Sequence, residues 1–134
     1  MTHLTRQHQQ EAGNARARWR AEGRRNNPGK GEGQIREAVK RLGLMVLDYE
    51  EEVVNAQGQH FWIDVLVTST FGPIYIDYGG PAIRCGTNKI QRERWRRRAV
   101  LLGKEYLLVR GASTDEIEYE IKLHMEGRAD DDSR

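Results

Sequence analysis

The sequence predicts an α/β domain: a mixed four-stranded sheet flanked by helices in the order α-β-β-β-α-β-α, preceded by a basic helical arm. Two observations carry this. Apolar residues recur every three to four positions in segments near 30–42, 89–102 and 114–125. Short runs rich in Val, Ile, Leu and aromatic residues stand between them, the first three joined only by turn-forming stretches.

The N-terminal segment from Thr5 to about Arg24 is rich in Arg, Gln and Ala, with Trp19 its only large apolar residue. It is permissive for helix but has no apolar face to bury. It reads as a basic arm that orders on nucleic acid or docks on a second subunit, closed by the linker Asn26-Asn-Pro-Gly29. From Lys30 to Leu42, Ile35, Ala38, Val39 and Leu42 form one helical stripe, and Gly43 supplies the stop. Glu32 lies one turn before Ile35 and Arg36, near the helix start, where its charge also complements the helix dipole.

Three strands follow, Leu44 to Val54, His60 to Val67 and Pro73 to Tyr78, linked by Asn55-Ala-Gln-Gly58 and a turn containing Gly72-Pro73, so an antiparallel meander is expected. Strict alternation would send Phe61, Ile63, Val65 and Val67 one way and His60, Trp62, Asp64 and Leu66 the other. Asn88 is placed to cap a helix from Lys89 to Leu102 with Trp95, Ala99 and Leu102 as its packing stripe. Glu105 to Arg110 reads as a fourth, central strand and Thr114 to Met125 as a last helix on Ile117, Ile121 and Met125. Residues 1–29 are thus an arm, 30–127 a domain and 128–134 an acidic disordered tail.

At 134 residues, 37% hydrophobic and 31% charged, the chain supports one compact core with polar flanks. The lone Cys85 excludes an internal disulfide and reads as a small buried or semi-exposed thiol in a reducing compartment. No apolar run reaches the roughly 18 residues of a membrane span, and Met1-Thr-His-Leu-Thr-Arg6 lacks a signal core. The expectation is a soluble cytoplasmic protein without a membrane partner, or one acting in host cytoplasm if a virus or mobile element encodes it.

The net charge of +2 hides segregation. Residues 1–30 and 84–104 are strongly basic, while acids gather in Asp48-Tyr-Glu-Glu-Glu52 and from Asp115 to Asp132. Two basic blocks on a balanced chain suggest a polyanion partner, with the acidic face turned away.

Against this background Asp64 and Asp77 stand out, because each interrupts an apolar strand run. An unpaired ionised carboxylate in apolar surroundings costs several kcal/mol or shifts its pKa, so such an acid needs a partner, a metal or a chemical role. His60 is not a direct co-ligand of Asp64, since four residues of strand span roughly 13 Å. Gly79-Gly80 leaves backbone open to close approach.

Glu32 in the first helix, Asp64 in the second strand and Asp77 in the third resemble the acidic set of the PD-(D/E)xK nuclease superfamily, over about residues 30–111. Glu32 stands eleven residues before Gly43 and the two aspartates are thirteen apart, as in archaeal-type Holliday junction resolvases. Ile76-Asp-Tyr-Gly-Gly80 and the arginine-rich helix, glycine and apolar strand from Arg92 to Arg110 are similar to very-short-patch-repair and homing nucleases.

The resemblance implies a restriction-endonuclease-like fold and a Mg²⁺-dependent DNA endonuclease acting on branched, Holliday-junction-like DNA or on mismatched or duplex DNA, with Mn²⁺ a substitute ion. The alternatives are a site-specific homing-type nickase and an inert nucleic-acid-binding module of the same fold. Implied metal ligands are Asp64, Asp77, Glu32 and the carbonyl of Tyr78. The family's lysine, two residues after the second strand acid, is replaced by Gly79, so Lys89, with Gln91 behind it, is the substitute catalytic cation. Arg16, Arg18, Arg20, Arg24, Arg25, Lys30, Arg84, Arg92, Arg96 and Arg97 are the implied DNA contacts. Trp19 and Trp95 are the aromatics able to stack on an unpaired base, although Trp95 lies on the core stripe. Symmetric junction cutting would call for a homodimer.

Overall fold

The computed structural model describes residues 5–81 and 89–132, with side chains through Gly127 except those of 89–91. Its elements are α1 (Arg6–Asn26), α2 (Lys30–Arg41), β1 (Val46–Val54), β2 (His60–Ser69), β3 (Gly72–Tyr78), α3 (Lys89–Leu102), β4 (Tyr106–Val109) and α4 (Thr114–Asp132). The sheet order is β1-β2-β3-β4, antiparallel across the first two pairs and parallel across β3 and β4. The chain is therefore α/β with a mixed sheet, as expected, but β4 stands at the edge of the sheet and not at its centre. Arg84, Cys85 and Asn88 lie outside the described residues. No described helix is long and apolar enough to cross a membrane.

Local chemistry sets the helix ends. Thr5 caps α1 by accepting from the His8 N–H, and Arg24 and Arg25 occupy its last turn, where cations complement the dipole. α2 stops at Gly43, whose φ of +69° suits the left-handed position after a helix. α4 continues past the expected Met125 to Asp132, so much of the segment read as a disordered tail is helical.

α2 and α4 pack on one face of the sheet, burying Ile35, Ala38, Val39, Ile117 and Ile121 against Val65, Val67, Ile74, Ile76 and Val109. α3 covers the other face, with Leu102 beside Val53, Ile63, Phe61, Tyr75 and Tyr106. Each fully buried isoleucine contributes about 1.5–3 kcal/mol, so this two-sided core fixes the sheet between its helices.

Strict alternation fails in the middle of β2. Phe61 and Ile63 pack on the α3 side, whereas Val65 and Val67 pack on the α2 side. The change of face falls at Asp64. Beside it on β1, Glu50 adopts a φ of +52°, the only left-handed non-glycine conformation among the described residues. Such a conformation costs on the order of 1–3 kcal/mol and is held by its surroundings.

α1 is not a separate arm. Arg18 forks onto Glu52 with both contacts at 2.8 Å, Arg24 forks onto Glu50 at 2.8 and 3.1 Å, and Arg25 meets Asp48 at 2.8 Å. These acids stand at every second position of β1, so one row of carboxylates receives one row of arginines. The acidic run expected to face away from the basic arm is where that arm docks. Ala21 is buried under the contact.

Candidate metal centre

Glu32, Glu50 and Asp64 each place a carboxylate oxygen within 4.8 Å of the others, forming the group of acids among the described residues with the geometry to share an ion. Each arrives by a different route. The first turn of α2 brings Glu32, because the stripe headed by Ile35 is fully buried on the sheet. The β1–β2 ladder brings Glu50 opposite Asp64: Tyr49 pairs with Val65 and Glu51 with Ile63, so the residues between them face each other. Glu32 and Glu50 are 5% and 1% exposed.

Burial and mutual repulsion dominate the electrostatics. Removal from water, then the charges of Asp64 and Glu50, push Glu32 up to about 8, with Arg36 opposing. Asp64 is pushed up to about 7 by burial and then by Asp77, against a hydrogen bond from the Tyr78 N–H at 2.8 Å. With both acids ionised, Glu32 Oε2 is buried without a donor and Oε1 has a 3.5 Å contact to Arg36, while Glu50 lies close enough to share a proton with Glu32. Two ionised carboxylates have no donor to offer each other, so this cluster needs either a shared proton or a cation.

The donor set fits a hard divalent ion. All three groups offer oxygen, which suits Mg²⁺ or Mn²⁺, and such ions keep part of their water shell, so three carboxylates suffice. Arg24 on Glu50 and Arg36 at Glu32 supply part of the opposing charge, and a proton held between Glu32 and Glu50 or a bound cation would supply the rest.

Asp77 occupies a different position from the one expected. It lies directly opposite Asp64, since Val65 pairs with Ile76, but its carboxylate is otherwise engaged. Oδ1 accepts from the Asp64 N–H at 2.9 Å, and Oδ2 accepts from Arg98 Nε at 3.1 Å and Tyr106 Oη at 2.8 Å. Arg98 also donates to the Trp62 carbonyl at 2.6 Å. α3 and β4 thus neutralise Asp77, and Glu50 takes its expected place in the acidic cluster. The hairpin register was the sequence signal for Glu50: counting back from Val54 opposite His60 reaches Glu50 opposite Asp64.

The remaining candidates divide clearly. Tyr78 supports the site through its N–H and through its ring, which lies against Gly31 of α2. Gly79 is packed on Leu108: an added Cβ would lie 2.9 Å from Leu108 side-chain carbons, so a side chain there requires the leucine to shift. The side chains of Lys89 and Gln91 lie outside the described residues. His60 bonds to Glu52 at 2.7 Å, remote from the cluster.

Among the implied DNA contacts, Arg18, Arg24 and Arg25 are engaged by β1, whereas Arg16, Arg20, Arg92, Arg96 and Arg97 are exposed, as is Lys30. Arg92 and Arg96 border a cavity of about 370 Å³ with Trp95, Tyr106 and Arg110 in its wall. Trp19 is 79% exposed. Comparison with family models, curated proteins and solved structures returns no match, so the site's own geometry carries its functional reading.

Proposed function

We propose that this protein is a divalent-metal-dependent DNA endonuclease whose ion is held by Glu32, Glu50 and Asp64. The convergence of these acids around the buried Glu32 carboxylate is the observation that supports it. A bound Mg²⁺ or Mn²⁺ would polarise a phosphoryl oxygen and lower the pKa of a bound water.

The chain's own residues account for positioning. Tyr78 N–H donates to Asp64 Oδ2 and so fixes the orientation of that carboxylate. Asp77, fixed by Arg98 and Tyr106, anchors the Asp64 backbone from the adjacent strand. The exposed arginines of α3 supply phosphate contacts, which give affinity without sequence information. A shape-selective substrate follows, with branched or mismatched DNA preferred to plain duplex. The reading as an inert nucleic-acid-binding module is favoured by Gly79, which packs on Leu108 where the family carries its lysine.

A panel of four-way junction, flap, mismatched and linear DNA with Mg²⁺ or Mn²⁺ separates the readings. Metal-dependent cleavage that Asp64→Ala and Glu50→Gln abolish is the expected result. Cleavage unchanged in both variants would remove the cluster from the chemistry, and DNA binding without cleavage would establish the inert module.

A further inference from the structure

Arg24 is the cation nearest solvent in this site. Its guanidinium lies on Glu50, whose side chain is 0% exposed while that of Arg24 is 43% exposed, so the arginine is the solvent-facing member of the pair. Its charge also acts on Asp64 and Glu32. The backbone beneath it is pinned. Arg36 of α2 donates to the Arg25 carbonyl at 3.0 Å and to the Arg24 carbonyl at 3.2 Å, and lies 3.9 Å above the Tyr49 ring. A fixed backbone with a half-exposed side chain permits rotation of the guanidinium without movement of the helix.

We propose that Arg24 is a phosphate-binding residue of this site, held in reserve by Glu50 and released to a phosphodiester oxygen when Glu50 is neutralised by a cation. The inference rests on the metal reading for its physiological trigger. The chemistry is an exchange of anionic partners: the fork that fits a carboxylate also fits a phosphate. Arg24 occupies both oxygens of Glu50, so a cation that binds there competes with the guanidinium for the same atoms.

A double-mutant cycle tests this without metal, because Glu50→Gln removes the charge that holds the fork. Binding of a fluorescent duplex oligonucleotide is measured against salt for wild type, Arg24→Gln, Glu50→Gln and the double variant, which leaves no unpaired buried carboxylate at position 50. Arg24→Gln is expected to leave the salt slope unchanged when Glu50 is intact, and to lower it by about 0.9, one phosphate contact, in the Glu50→Gln background. Equal effects in both backgrounds, or none in either, overturn the proposal. Calorimetric titration with Mn²⁺ alone distinguishes the two ideas. Mn²⁺ binding without coupling in the cycle sinks the Arg24 role and leaves the metal centre, whereas coupling without Mn²⁺ binding sinks the metal centre.

Discussion

Asp64 donates its backbone N–H to Asp77 Oδ1 at 2.9 Å, so the acid of β3 braces the strand that carries the cluster instead of joining it. Two aspartates that look equivalent along the chain thereby have opposite surroundings. Asp77 faces a guanidinium and a phenol, while Asp64 faces other carboxylates.

That asymmetry sets the pH dependence. Glu32 and Asp64 hold protons more tightly in the folded chain than their ordinary values of 4.5 and 3.8. Their contribution to stability is complete below those values and is lost as pH rises through about 7 and about 8. Thermal unfolding in chelator should show a falling Tm across this range, and Mn²⁺ should restore it by binding the folded state. A Tm that rises with pH in chelator would contradict the raised acids.

Glu32→Gln removes one like charge from the cluster. In metal-free buffer at about pH 9, above the value of about 8 at which Glu32 ionises, it should stabilise the fold by on the order of 1 kcal/mol, with little effect near neutral pH, while weakening Mn²⁺ binding. Urea unfolding and calorimetry together check the two opposite signs. Destabilisation with unchanged Mn²⁺ affinity would make Glu32 a structural acid.

Arg98→Ala leaves Asp77, whose side chain is 2% exposed, without its charged partner. The expected loss is about 3 kcal/mol in urea unfolding. Tyr106→Phe, which removes one hydrogen bond to the same oxygen, should cost about 1 kcal/mol. Equal losses would mean that the charge of Arg98 adds no more to Asp77 than a neutral hydrogen bond does.

Gly79→Ala places a methyl 2.9 Å from Leu108 and should destabilise by about 1–3 kcal/mol. Leu108→Ala in the same chain should recover part of that loss, which a two-variant unfolding cycle measures. Additive losses would show that the strain at Gly79 lies elsewhere.

Arg92→Ala and Arg97→Ala should each lower the salt slope of DNA binding by about 0.9. Arg18→Ala should not, because both of its contacts are spent on Glu52. A reversed result would move the DNA surface from α3 to α1.

The element order was legible because each element carries its own period and stop, as in the stripe from Ile35 to Leu42 closed by Gly43. The closeness of Asp64 and Asp77 was legible because one short turn joins their strands. Glu50 was hidden within Asp48–Glu52, where a run of acids reads as solvated charge and a left-handed backbone leaves no mark on residue type. The docking of α1 was hidden for a related reason: arginines on a helix without an apolar stripe do not name their partner, and here the partner is the strand's own acidic row. Asp77 looked like a ligand because Arg98 and Tyr106, which satisfy it, come from 21 and 29 residues further along the chain.

The left-handed backbone at Glu50 sets two selective pressures against each other at one codon. Glycine or asparagine would relax the main chain there, and either would discard the carboxylate. A library varied at position 50 and sorted only for folded protein should drift to those two residues; the same library sorted for retained Mn²⁺ should return glutamate.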